Sequence, residues 1–114
     1  MALQPLILEM GTGIDLHGQD YTLAAKRAVR DAIQRNSLMF LRALGVGDTS
    51  KMQVEVTIGI PQPQSVNQEE VLKTLPHGTG TLKVVPGGLE ISARGDGDLT
   101  VMANAALVVK LDLG

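Results

Sequence analysis

Asp15 and His17 stand two residues apart inside Gly11-Thr12-Gly13-Ile14-Asp15-Leu16-His17-Gly18, the stretch of this 114-residue chain best furnished for chemistry. In extended chain, residues i and i+2 leave the backbone on the same side, so the carboxylate can accept from an imidazole N–H and fix its tautomer. Such a pair does general acid-base work on a bound substrate. The spacing therefore predicts Asp15 and His17 side by side as catalytic groups. Around them Gly11, Thr12, Gly13 and Gly18 supply backbone N–H groups, and a strand that runs through glycines into a helix N-terminus is a setting that holds an anion. These four are the expected ligand contacts, with Tyr21 as a wall and His77, from Pro76-His77-Gly78, reaching in from another subunit. The plainer alternative gives the same residues to a tight turn: the glycines allow positive φ, Asp15 bonds loop N–H groups, and His17 caps or packs against the helix.

Other chemistries fit less well. Leu16 stands where a dinucleotide fingerprint needs glycine, and no Gly-Lys-Ser/Thr follows as a Walker loop requires. No Gly-x-Ser-x-Gly occurs, so no serine nucleophile is defined. Glu9, Asp15, His17, Asp20 and His77 are the possible metal donors, but cysteine is absent and no His-x-x-x-His spacing exists, so no metal is expected. Arg94, near the last turn, is placed to pair an anionic ligand, whereas Arg27 and Arg30 read as a solvated helix face. Ten Lys and Arg against twelve Asp and Glu leave a net charge of -2, which gives no positive field for nucleic acid or anionic lipid. With 2% aromatics there is little to stack bases on. The start, MALQPLILEM, has no basic leader region, and no apolar run approaches a membrane span. A reducing cytoplasm is the expected location, a small polar or anionic metabolite the expected partner, and no motif identifies a cofactor.

The elements that must position these residues form a single domain over 1–114. Leu6 to Met10 reads as a strand that runs into a glycine loop. From Tyr21 to Leu44 the pattern is helical, with Ala25, Ala28, Val29, Ala32 and Ile33 on one stripe, Asp20 or Thr22 as cap, a weak point at Asn36-Ser37 and a stop at Gly45. A stripe of alanines lets the helix axis sit close to a sheet. Met52 to Ile60 alternates apolar and polar and reads as a one-sided strand. Asn67 with Glu70, and Val66 with Val71, mark the start of a short helix over Gln68 to Leu75, stopped by Pro76. Thr81 to Val85 and Leu89 to Ala93 read as a hairpin closed by Pro86-Gly87-Gly88. The odd positions from Leu99 to Leu113 are all apolar, and one strand of that length would reach roughly 50 Å, so a bulge is expected near Asn104.

The sum is an α+β two-layer sandwich, β-α-β-α-β-β(-β), with a mixed sheet and both helices on one face. The opposite face is expected to carry Gln53, Glu55, Thr57, Thr81, Lys83, Glu90, Ser92, Thr100, Asn104 and Lys110. It would either face water or close with other copies around a symmetry axis.

Gly11, Gly13, Asp15, His17 and Gly18 resemble the N-terminal Gly-x-Gly-x-Asp-x-His-Gly hallmark of a small family of uncharacterised conserved proteins from bacteria and plants. Gln19-Asp20, Ala24 to Ala28, Asp31-Ala32-Ile33, Asn36-Ser37 and Pro76-His77-Gly78 are similar to it as well, so the likeness covers nearly the whole chain. It implies that the loop of Asp15 and His17 is a ligand or catalytic site. In topology the chain also resembles the Bacillus-type chorismate mutase fold, shared by the Rid deaminases. That likeness implies a homotrimer with ligand clefts between subunits.

Overall fold

The computed structural model describes residues 3–34, 51–76 and 79–112. The continuation of the first helix to Leu44, its weak point at Asn36-Ser37 and the placement of His77 lie outside the described residues. Within them the order is β1 (Gln4–Asp15), α1 (Tyr21–Gln34), β2 (Gln53–Ile60), a 3-10 turn (Pro63–Ser65), α2 (Gln68–Leu72), β3 (Thr79–Pro86), β4 (Leu89–Ile91) and β5 (Thr100–Leu111). The strands form one mixed sheet in the order β1-β5-β2-β3, and β4 also pairs with β5. Among the described strands only β2 and β3 run parallel, and the crossover that a parallel pair requires is the segment carrying α2.

Both helices cover one face, as the patterning predicts. Ala24, Ala25, Ala28, Val29 and Ala32 of α1 meet Val54, Val56, Ile58 and Ile60 of β2 and the odd residues Val101 to Leu111 of β5 in one core. Asp20 caps α1, its Oδ1 accepting from the Leu23 N–H at 2.9 Å. Asn67 caps α2 by accepting from the Glu70 N–H, with Val66 and Val71 both buried beside it.

Three local expectations are corrected. First, Gly11 and Gly13 are not loop residues at positive φ: β1 runs through both to Asp15, paired with β5 all the way. Second, Pro86-Gly87-Gly88 closes no hairpin. The Gly87 N–H donates to the Ile60 carbonyl at 3.1 Å, and the chain crosses the end of β2 to resume beside β5, with Leu89 opposite Met102. Gly88 sits at φ +63, and a Cβ there would lie 2.0 Å from the Met102 carbonyl oxygen. The glycines serve this crossing, and the new pairing sets the phase of β4, so Glu90 points to the helix side rather than to the open face. Third, β5 is continuous through Asn104, and the register shift falls in β1 between Pro5 and Ile7. The 55 Å long dimension of the molecule accommodates the uninterrupted strand.

Candidate functional site

The octapeptide separates into residues that build and one that is presented. A Cβ on Gly11 would lie 2.3 Å from the Ala32 nitrogen, and one on Gly13 would lie 2.2 Å from both the Ala24 carbonyl oxygen and the Ala28 nitrogen. Helix backbone therefore rests directly on strand backbone, with alanine on one side and glycine on the other removing the side chains that would hold them apart. Gly18, at φ +90 with open space around it, serves a different need, the left-handed turn that starts the loop to α1.

Asp15, the last residue of β1, is buried on the helix side. Its Oδ2 accepts from the Asp20 N–H at 2.9 Å, and its Oδ1 lies 3.9 Å from Arg27 Nη1, the same nitrogen that donates to the Ile14 carbonyl at 2.6 Å. The carboxylate thus clasps the loop to the helix start. Arg27, expected on a solvated face, holds the other side of that clasp.

His17 is not paired with Asp15. Strand alternation does not survive the bend at Leu16-His17-Gly18, and the imidazole turns toward the segment between β4 and β5. There Nδ1 lies 2.6 Å from Asp98 Oδ2, and Nε2 lies 3.3 Å from Arg94 Nη2. Guanidinium nitrogens only donate, so Nε2 accepts, the ring proton resides on Nδ1, and Asp98 receives it. The Asp98 Oδ1 also accepts from the Gly18 N–H at 3.4 Å. The His17 hydrogen bond, and after it the Gly18 N–H, hold the Asp98 carboxyl below its ordinary value of 3.8. His17 remains well exposed, and a cavity of about 280 Å³ opens over it, lined by Leu16, His17, Ala93, Arg94, Asp98 and Thr100.

Of the described residues expected to carry chemistry, the structure brings only His17 and Arg94 to this cavity. Gly11 and Thr12 border a separate hollow with Met10, Asp31 and Asn104, where the Thr12 N–H donates to Asp31 at 2.9 Å. Tyr21 donates its hydroxyl to Glu90, and this bond, followed by burial, raises the phenol above its ordinary 10.0. Gly13 lies beneath α1, and His77 lies outside the described residues. Asp98 is the residue the sequence reading missed. Its signal was present in Gly95-Asp96-Gly97-Asp98, a turn with glycines at φ +70 and +84. Among the described residues no three His, Cys, Asp or Glu converge as a metal-ligand set. Nor is any described helix long and apolar enough to cross a membrane.

Comparison with known proteins places the chain in a family. A model built on conserved hypothetical proteins, the Lin0512 family, matches residues 5–109. The chain is similar to the crystal structure of an FtsZ-like protein of unknown function from Nostoc punctiforme PCC 73102, with 41% identity over 98% of each chain and a TM-score of 0.87. No curated protein matches.

Proposed function

The chain belongs to the Lin0512 family of conserved hypothetical proteins, and from the geometry at His17 we propose that it binds a small anionic metabolite, in the cytoplasm, with His17 as its acid-base group. The observation that carries this reading is the line Asp98-His17-Arg94 at a cavity: a carboxylate orients an exposed imidazole whose second nitrogen accepts from a guanidinium. Arg94 presents five N–H donors in a planar fork suited to carboxylate or phosphate. An anion seated on it lies within reach of Nε2, and Asp98, by holding Nδ1–H, steadies the imidazolium formed when Nε2 takes a proton.

Asp15 belongs to this site as a positioning residue. By clasping Asp20 it fixes the loop from which His17 projects, which unites the family resemblance with the plainer turn reading: most of the motif builds and His17 reacts. The test is a thermal-shift titration of the intact protein with inorganic phosphate and a set of mono- and dicarboxylates. We expect an anion-dependent rise in Tm that disappears in His17→Ala and Arg94→Ala, while both variants melt within a few degrees of the unliganded wild type. A rise retained in both variants, or none with any anion, overturns the site. Variants that only lower Tm favour the purely structural reading.

A further inference from the structure

We infer that the open face of the sheet is an interface between copies of this chain, centred on the outer strand β1 and on β4 beside β5. Alternation along β1 sends Leu8, Met10 and Ile14 away from the helices, and Leu8 and Met10 are each 62% exposed. Leu89 and Ile91 of β4, opposite Met102 and Thr100, emerge on the same side, both about half exposed. An antiparallel sheet that meets water on one face normally carries polar side chains there. β2 and β3 follow this rule with Gln53, Glu55, Thr57, Thr81 and Lys83, whereas β1 and β4 depart from it with Leu8, Met10, Ile14, Leu89 and Ile91, with Thr12 of β1 and Asn104 of β5 polar between them.

Five large apolar side chains at such exposure leave on the order of 450 Å² of apolar surface, crossed between Met10 and Ile14 by the hydrogen-bonded pair Thr12 and Asn104, and patches of a few hundred Å² on a monomer are commonly functional. With the polar strands beside it, the face approaches the roughly 800 Å² that each partner contributes to a stable interface.

The occupant is a second copy, for three reasons. The charges on the face are of both signs, with Lys110 bound to Glu55 at 2.7 Å and Lys83 beyond them, so the face neither repels itself nor selects a strongly charged partner. Strand addition along β1 is obstructed where Asp31 occupies the Thr12 N–H and Arg27 the Ile14 carbonyl, which leaves stacking of faces as the way to cover the apolar surface. That surface also runs into the cavity: Leu16 and Thr100 line it beside Ile91, so a docked copy adds a wall to the pocket of His17. The association itself does not depend on the ligand reading; only this last consequence does.

Native mass spectrometry and sedimentation equilibrium of the intact chain test the inference. We expect multiples of the 12.0 kDa subunit and, in the double variant Met10→Lys, Leu89→Lys, a monomer with an unchanged circular dichroism spectrum and association weakened at least 100-fold. His17→Ala should remain associated. If the lysine variant fails to fold, Met10→Cys decides, because the chain has no other cysteine: its thiol should alkylate slowly in concentrated protein and quickly on dilution. A monomer at tens of micromolar, an oligomer indifferent to both lysines, or a thiol equally reactive at all concentrations overturns it.

Discussion

At the scale of the residue, the five motif positions do four different jobs, and a single substitution can tell them apart. Gly11 and Gly13 exclude Cβ atoms, Gly18 turns the chain, Asp15 clasps the loop, and His17 faces the cavity. Asp98 gives this site a pH signature. Its carboxyl titrates lower in the folded protein than in the unfolded chain, so its contribution to stability is full above about pH 4 and is lost as pH falls through the lowered value. Thermal melts of Asp98→Asn should therefore lose less stability than wild type between pH 4 and 2. The same variant should weaken anion binding at neutral pH, because the imidazole loses the acceptor that orients it. Asp15→Asn should behave differently, lowering Tm at neutral pH through a weakened loop clasp worth about 1–3 kcal/mol.

At the scale of the element, the decisive contact is α1 on β1. The helix stripe of Ala24, Ala28 and Ala32 is fully buried, and its backbone comes within 2.5 Å of where the missing glycine Cβ atoms would stand. Those neighbours are main-chain atoms, which cannot swing aside, so even one methyl group must lift the helix. We expect Gly13→Ala and Gly11→Ala each to cost about 3 kcal/mol, the upper end for overpacking, and to lower Tm by about 10 °C or more in a domain of this size. Gly95→Ala, where nothing lies within 4 Å, should incur only the strain of its φ of +70 and fall well short of that loss. Calorimetric melts of the three variants make the comparison.

At the scale of the whole molecule, Glu9 and Asp15 are the buried charged residues among the described residues. Burial raises the Glu9 carboxyl above its ordinary value of 4.5. A raised folded value means that the stability Glu9 contributes is present at low pH and is lost as pH rises through that value. Glu9→Gln should consequently raise Tm at pH 7, with the gain shrinking as pH falls through the raised value and gone below about 4.5, a less acid window than the one in which Asp98→Asn changes the profile.

Much of this molecule is written in local pattern. The alternation of Met52 to Ile60, the alanine stripe of α1 and the Asn67-Glu70 cap each depend on neighbours a few residues away, and each element formed where its pattern lay. Those periods suffice for an α+β sandwich with both helices on one face, because an apolar stripe has one way to leave water. The octapeptide was legible as special but not in its division of labour. A glycine needed for positive φ and one needed for close packing look alike until the helix that rests on it is in place. Likewise the spacing of Asp15 and His17 carried no information about Asp98, 81 residues further on from His17. Pairing of β4 with β5, continuation of β1 through its glycines, and the meeting of His17, Asp98 and Arg94 all depend on contacts between distant segments. Such contacts are selected by the packing of the assembled sheet, and no short window of sequence contains them.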